Sequence, residues 1–465
     1  VPVGCNYRTA FKIVQTVPIA YRVQTHNSCC CNELRALTER HITRRVTNFD
    51  NGFFRRFQSK FVRSLALDPQ RKTFNEIIAD YSCAKKRRYK LARMNIIDGP
   101  VRWRAWAVIS MFVKPDRYSE ADVVNKSPRA IQFRKPEFNL MVATYLKPLE
   151  EQFYQHTDWT GYPVVAKGKN NIERATNIVE TAAMFENPVF VLADHSKFDS
   201  YVNKQHLRFL HRIYDRAYRD RFLTQLLQFQ FNNRGYTKGG ICYKVEATRM
   251  SGDYDTGLGN TLLNLYILNV VFRRVRNHVL VDGDDSVIIV EKRDLHLVDF
   301  TDFGKMGFKT TVDVVDKLSD VEFCRARLMV LDPPRFARHP VRALSNMSVS
   351  FSHFAPAATA AYIAGLGLGE AAASNGVPII GPIAHKMSLV SDTPIIDENI
   401  KYMYGAAGDP LHIDDEARIQ FHQIYGFSPV MQIAIERSFK PCLRYEKLRE
   451  WYDALPLGPN DVLAC

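Results

Sequence analysis

Apolar residues run through this chain in two rhythms. Pro188-Val-Phe-Val-Leu-Ala193 is a short unbroken run rich in β-branched and aromatic side chains, which predicts a buried strand. After Ser200 the spacing lengthens, and Leu207, Leu210, Tyr214 and Ala217 recur at the interval of an amphipathic helix. A second helix is expected after the Gly-rich Ser251–Gly259 segment, through Leu262, Leu265, Tyr266 and Asn269. Two further apolar runs, His278-Val-Leu-Val-Asp282 and Ser286-Val-Ile-Ile-Val290, flank Gly283-Asp284-Asp285. Two such runs about a turn-forming element predict a β-hairpin. With Phe308-Lys-Thr-Thr-Val312 added, the order strand, helix, helix, hairpin, strand describes an α+β layer. Beyond about Arg325 the pattern predicts mainly helix, punctuated by Pro333–Pro334, Pro378 and Pro394. Its most apolar stretch, Ala355 to Gly369, is too short to span a bilayer, ends at Glu370, and reads as a buried helix.

Composition narrows the class. A chain of 465 residues exceeds one ordinary domain, and the absence of repeats or linkers implies subdomains that interleave in sequence. With 46% hydrophobic and 24% charged residues, a disordered chain is excluded. The net charge of +14 points to a polyanionic partner, nucleic acid first, although an ordinary basic enzyme fits it as well. The first 110 residues carry runs such as Arg44–Arg45 and Lys85–Lys86–Arg87–Arg88, whose usual fate is a solvated face. Adjacent Cys29, Cys30 and Cys31 suit neither a disulfide framework nor C-x-x-C metal spacing. They favour a reducing, cytosolic compartment, with zinc held by the run together with His26 and His41 as the lesser alternative. No secretory signal or run of 18 apolar residues is visible, and the start at Val1 suggests a fragment of something longer.

The chemistry lies in four segments. Asp194-x4-Asp199 stands at the end of the first strand, and Gly283-Asp284-Asp285 puts two more carboxylates at a hairpin tip. If those strands lie side by side, three or four mutually repelling acids converge and require cations. Carboxylate oxygens select Mg²⁺ or Mn²⁺, and a pair of such ions could activate a 3′-hydroxyl and neutralise a leaving pyrophosphate. Taken alone, Gly-Asp-Asp is equally an ordinary turn. In the third segment, Ser251-Gly252-x3-Thr256-x3-Asn260, Thr256 and Asn260 share one helical face, with Asn264 a turn further on. That face either caps a core helix or reads ribose hydroxyls, the 2′-OH distinguishing RNA from DNA. The fourth comprises Lys114-Pro-Asp-Arg117 and Lys126-Ser-Pro-Arg129 through Arg134-Lys135-Pro136, basic groups suited to holding a triphosphate.

In this order the segments resemble the RNA-dependent RNA polymerases of the tombusvirus family and related tombus-like viruses. Ser127-Pro-Arg-Ala-Ile-Gln-Phe-Arg134 and Tyr145-Leu-Lys-Pro-Leu-Glu150 look like that family's nucleotide-entry motif and the segment after it. Asp194-His-Ser-Lys-Phe-Asp199 looks like motif A, Arg249-Met-Ser-Gly-Asp-Tyr-Asp-Thr256 through Asn264 like motif B, and Val281-Asp-Gly-Asp-Asp285 like motif C. Met306-Gly-Phe308 and Glu322-Phe-Cys324 fit motifs D and E, while His26-Asn27 and Asn375-Gly-Val-Pro378 are weaker echoes.

The resemblance implies an α+β right-hand fold whose antiparallel palm sheet carries the Gly-Asp-Asp hairpin. Fingers would take 1–187 and 203–247, palm 188–202 and 248–330, and a mainly helical thumb 331–465. Asp194, Asp284 and Asp285 would hold Mg²⁺, with Mn²⁺ as substitute. Asp199, Ser251, Thr256 and Asn260 would select the ribonucleotide, and Lys114, Lys126, Arg129 and Arg134 would steer its triphosphate. Lys305, Lys309 and Lys317 are all candidates for the proton donor to pyrophosphate. Asp255 stands where the family usually has Asn, adding a carboxylate expected near the sugar pocket. The implied partners are an RNA template, its product duplex, ribonucleoside triphosphates, and a membrane-targeting replication protein or N-terminal segment. The implied location is the host cytoplasm at membrane-bound replication complexes, with unprimed initiation favoured. A reverse transcriptase lacks the Ser251/Thr256/Asn260 pattern, a metallonuclease has no use for the triphosphate cations, and an inactive RNA-binding palm need not retain repelling acids.

Overall fold

The apolar runs become a four-stranded antiparallel sheet in the order Asn277–Asp282, Asp285–Glu291, Pro188–His195, Thr310–Val315. The structure, a computed structural model, describes residues 11–13, 19–42, 47–351, 354–396, 400, 410–440 and 446–447. One face of the sheet packs Val189, Val191, Ala193, Ile288 and Val290 into the largest core. The other packs Phe190, Leu280, Val287 and Ile289 against Ala175 and Ile178 of the Asn171–Ala182 helix. Cover on both faces is why these strands read as continuous apolar runs instead of alternating ones. Against the first face lies the Thr256–Val271 helix, buried without interruption from Leu258 to Leu268. A helix enclosed all round carries no polar stripe, so its few polar residues need internal partners.

A second sheet orders Ala130–Phe133, Ile109–Val113, Asn232–Thr237 and Cys242–Glu246. Its Ile109–Val113 strand pairs in parallel with Asn232–Thr237, so the segment inserted after the first strand of the central sheet rejoins the N-terminal part, as interleaved subdomains require. The loop before the buried helix docks on this sheet, with Gly252 N donating to Gln132 O at 2.7 Å. A Cβ at Gly252 would stand 2.6 Å from that carbonyl, so only glycine permits the approach.

Arg134 closes the same junction. Its guanidinium is buried, donating to Asp253 (2.7 and 3.3 Å), to Asn233 (2.6 Å) and to the Ala107 carbonyl (2.7 Å). This corrects its expected role in triphosphate binding: every direction in which the fork points already holds an acceptor, and none is open to solvent. Lys126-Ser-Pro-Arg129 precedes the Ala130–Phe133 strand and Pro136 opens the Pro136–Phe153 helix, so both prolines flank regular elements.

Beyond Arg325 the expectation of helix fails at first. Glu322–Phe323, Ala326–Met329 and Arg335–Arg338 form a small antiparallel sheet. These strands are too short, and too mixed in polarity, to show a period. Helices follow at Pro340–Met347, Pro356–Ala373, Ile380–Ser388, Asp415–Tyr425 and Pro429–Ser438. In the apolar Pro356–Ala373 helix, a Cβ at Gly367 would come within 2.4 Å of the Ser388 backbone, which explains its glycines as sites of close packing. Of the basic runs, Arg44–Arg45 lies outside the described residues, while Arg87 and Arg88 are exposed on the Cys83–Ile97 helix.

His41, His195 and His206 are among the buried histidines whose rings burial keeps neutral. His206 Nδ1 accepts from Asn203 N (3.1 Å), so Nε2 carries the proton and donates to the Met306 carbonyl (3.0 Å). Burial pushes His206 down to about 3, and His41 and His195 to about 4. The unfolded chain takes up these protons near pH 6.5, whereas the folded one refuses them until well below. Their contribution to stability is therefore full above pH 6.5 and lost as pH falls towards 4. At one unit below the unfolded value each group accounts for about 1.4 kcal/mol, and thermal denaturation should show a clear drop in midpoint between pH 7.5 and 5.5. A flat profile would show that these rings do not stay neutral. Replacing Arg134 by Met should strand the Asp253 carboxylate and destabilise by about 3–5 kcal/mol. An unchanged melting point would return Arg134 to the role of a free phosphate binder.

Candidate active site

Asp194 is the penultimate residue of its strand, and the register Ala193↔Ser286 brings that end alongside the start of Asp285–Glu291, with Gly283 and Asp284 in the turn. Side chains alternate along a strand, so exposed Asp194 and buried His195 face opposite ways. A cleft of about 1180 Å³ opens here. Asp194, Asp199 and Asp284 line it together with Ser251, Thr256 and Asn260, and Lys114, Lys126 and Arg129 contribute its cations. Asp285, next in the chain, is exposed but does not line it, and neither do Arg134, Lys305, Lys309 or Lys317.

Charge in the cleft is crowded. Asp284 is raised above the usual carboxylate range by desolvation, opposed in part by its own backbone N–H and by Arg129, with the Asp194 charge adding to the rise. Asp285 is pushed up to about 6 by desolvation and by the charges of Asp284, Asp282 and Asp194. Carboxylates placed this close disfavour one another's ionisation, and a nearby positive charge would relieve them. Among the described residues, no group of three or more His, Cys, Asp or Glu side chains is placed to hold a metal ion. His26 Nε2 lies 3.1 Å from the Lys126 carbonyl, within hydrogen-bonding reach.

The polar helix face is only partly free. Asn260 Nδ2 donates to Asp199 Oδ1 at 2.8 Å, while Asn260 Oδ1 is buried without a hydrogen-bond partner. Desolvation raises Asp199, partly offset by that bond from Asn260. Ser251 Oγ donates to the Ala130 carbonyl and accepts from Gln132 N, and Thr256 Oγ1 is directed at the Met250 and Asp253 carbonyls. Ser251 and Thr256 therefore shape the loop as well as line the cleft. Lys114 and Arg129 share Asp116 (3.3 and 3.5 Å), and Lys126 pairs with Asp122 (2.9 Å). These are partly exposed pairs of small net strength from which a phosphate could take over the cations.

Asp255 does not line the cleft, contrary to the expectation that it would stand near a sugar pocket. It is fully buried, accepting from Arg249 (2.8 Å), Gln230 (2.8 Å) and Tyr214 (3.2 Å). The Arg249 charge and these bonds hold it below the usual carboxylate range against the opposing effect of burial. Among the lysines, Lys305 is tied to Asp302 (2.6 Å) and Asp299 (3.4 Å). Lys317 lies beyond the far end of the Thr310–Val315 strand, and Lys309 adjoins its near end, where its carbonyl accepts from Ser196 N.

Lys167 and Arg325 line the cleft and escaped sequence reasoning. Lys167 donates to Asp282 Oδ1 (2.5 Å), and Arg174, which does not line the cleft, donates to Asp282 Oδ2 (2.8 Å), so the two clamp the residue just before the turn. The signal for Lys167 is structural: Val164–Ala166 adds itself to the Asn277–Asp282 strand through a Val165↔Val281 bridge, which no local pattern announces.

Comparison with known proteins shows the family. The family described as viral RNA dependent RNA polymerase matches residues 4–443. The RNA-directed RNA polymerase of Groundnut rosette virus (strain MC1) is 30% identical over 388 residues, covering 78% of this chain and 45% of that protein. That of Pothos latent virus (isolate Pigeonpea/India) is 29% identical over 447 residues, 90% of this chain and 59% of the relative. That of Turnip crinkle virus is 30% identical over 396 residues, 78% and 49%. The chain thus spans about half the length of the curated relatives it matches. With the family match running through almost all of its sequence, this chain belongs to the viral RNA-dependent RNA polymerases.

Proposed function

We propose that the chain is the catalytic part of an RNA-directed RNA polymerase that copies an RNA template from ribonucleoside triphosphates, replicating a positive-strand RNA virus genome. The observation that carries the reading is one cleft lined by Asp194 and Asp284 together with Lys114, Lys126 and Arg129. In this reading 1–187 and 203–247 are fingers, 188–202 and 248–330 palm, and 331–465 thumb. The sheet shared by Ile109–Val113 and Asn232–Thr237 supports grouping the two finger segments.

Asp194, Asp284 and Asp285 would hold Mg²⁺, or Mn²⁺ in its place, which supplies charge to activate the 3′-hydroxyl and to neutralise the departing pyrophosphate. The chain's own groups do the positioning. Lys114, Lys126 and Arg129 draw in the triphosphate, and the α-phosphate is presented in line with the 3′-hydroxyl. Asp199 and Asn260 read the sugar, the free Asn260 Oδ1 accepting from a ribose hydroxyl and Asp199 holding that amide in place. Of the candidate general acids, Lys309 is the best placed, being at the catalytic end of the sheet. Synthesis starts without a primer. Recruitment to host cytoplasmic membranes is through a membrane-targeting replication protein or a further segment of the polypeptide. No described helix is long and apolar enough to cross a membrane.

The test is a primer-free reaction of a short single-stranded RNA with all four ribonucleotides and Mg²⁺, read as labelled complementary strand. Wild type should make product, while Asp194→Ala and Asp284→Ala should lose synthesis and keep RNA binding. Near-normal synthesis by either variant would remove that aspartate from the metal site. Asp199→Ala should chiefly erode the preference for ribo- over deoxyribonucleotides, and unchanged sugar discrimination would strip it of that role. RNA affinity should fall steeply with salt, because each phosphate contact releases counterions; a flat response would argue against a basic channel.

A further inference from the structure

Beneath the Gly283–Asp284 turn lies a buried polar network that the chemistry above does not use. Asn264 Nδ2 donates to the carbonyls of Gly283 (3.1 Å) and Asp284 (3.2 Å). Those carbonyls belong to the peptide planes that lead into Asp284 and Asp285. Thr261 Oγ1 accepts from Gly283 N (3.1 Å) and adds a second anchor from the same helix. The amide of Asn264 has one workable orientation, since flipping it would set its oxygen against two carbonyl oxygens. Asn264 Oδ1 therefore faces His195 Nε2 at 3.0 Å and must receive a proton from it. The other ring nitrogen, Nδ1, is then an acceptor, 2.8 Å from Thr310 Oγ1, whose hydroxyl donates. Phe198, Phe303 and Phe308 surround the imidazole at centroid distances of 5.3, 5.7 and 5.6 Å and fix its plane. Thr310 is the direct cross-strand partner of His195.

We propose that Thr310, His195 and Asn264 form a positioning relay that sets the pose of the Asp284 turn against Asp194, a specificity of placement on which nucleotidyl transfer depends. The inference rests on the polymerase reading. Its force comes from where the relay begins and ends. It starts on the strand neighbouring Asp194, passes through the residue next to Asp194, and ends on the backbone that carries the other two acids. The strand end and the hairpin turn are thereby tied through a third element, the buried helix, instead of through the sheet alone. Gly283 has φ +69° and no side chain to fix the turn. Without the two bonds from Asn264 only the Thr261 bond to Gly283 N would tie the turn to this helix, the two peptide planes leading into Asp284 and Asp285 would lose their anchor, and small misplacements of catalytic groups are costly. Asn264 and Thr310 do not line the cleft, and His195, which borders it, is buried with both ring nitrogens engaged by Thr310 and Asn264, so all three are positioning residues.

The clean variants are at Thr310, which is partly exposed and does not line the cleft. Thr310→Val keeps the shape and removes the hydroxyl, and Thr310→Ser restores it. In single-nucleotide incorporation on a primed template, with the full chain, Thr310→Val should lower kcat about tenfold and Asn264→Leu about 10- to 100-fold. The KM for nucleotide and the Kd for RNA should stay within about twofold, the range in which a placement defect leaves binding alone. Thr310→Ser should recover the wild-type kcat. A Thr310→Val enzyme with unchanged kcat, or a loss that Thr310→Ser fails to restore, overturns the proposal. So does a loss that tracks KM or the melting temperature instead of kcat.

Nitrogen-15 spectra of histidine-labelled protein provide a readout independent of turnover, with the His195 signals identified by their loss in His195→Gln. His195 should carry its proton on Nε2, and Asn264→Leu should shift that resonance. A proton on Nδ1 would break the relay whatever the activity. Absence of synthesis by wild type under all conditions would sink the polymerase reading, while the tautomer would still decide whether the relay exists.

Discussion

The antiparallel pairing of Pro188–His195 with Asp285–Glu291, in register from Pro188↔Glu291 to Ala193↔Ser286, decides how Asp194 and the Gly283–Asp284 turn stand to each other. One residue of slip would turn Asp194 into the core and His195 into the cleft. The register is pinned because both faces of these strands are buried, by the helix side through Val191 and Ile288 and by the opposite side through Phe190 and Ile289. A slip would bury an unpaired carboxylate, which is far more costly than any loss of packing. Hydrophobic burial thus holds like charges at a fixed spacing, a strained arrangement that the acids themselves would not choose.

The same logic explains which parts of the site were legible in the sequence. Asp194, Asp284 and the hairpin between Asn277 and Glu291 could be read because apolar runs and a Gly-Asp turn are local signals. Asn260 facing Asp199 was prefigured by helical spacing, although the contact itself spans separate elements. Arg134 and Asp255 were misread for a shared reason. A buried arginine in a four-acceptor cage and a cleft arginine awaiting phosphate look identical as letters, and only tertiary structure shows that Asp253 or Arg249 occupies the partner's place. Lys167 and Arg174 were invisible because their target, Asp282, lies far along the chain. The Glu322–Arg338 sheet was missed because strands of two to four residues offer no period to detect.

Net charge needs the same discrimination. The surplus of +14 suggests a uniformly basic surface, yet Arg134 and Arg249 are sequestered in buried pairs that stabilise the loop between the two sheets. Removing one partner of such a pair is far more damaging than removing an exposed charge. Lys114, Lys126 and Arg129 sit differently, in partly exposed pairs with Asp116 and Asp122 that water already weakens. They can exchange those partners for a phosphate at little expense. Sequence clusters of basic residues therefore divide into two populations, one structural and one available, and the division follows burial and not spacing.

The Thr256–Val271 helix ties these strands of reasoning together. Its interior position is a consequence of its apolar composition, yet the polar residues that break that composition each have a destination. Asn260 turns to Asp199, Thr261 to the Gly283 amide, and Asn264 to the turn carbonyls and to His195. A polar side chain in an otherwise apolar helix must be satisfied or it destabilises the fold. Here satisfaction requires that the strand end and the hairpin turn be in place at once. The helix can be comfortably buried only when Asp199, His195 and the Gly283–Asp284 turn are assembled around it, so the stability of the core and the geometry of the cleft are set by the same hydrogen bonds.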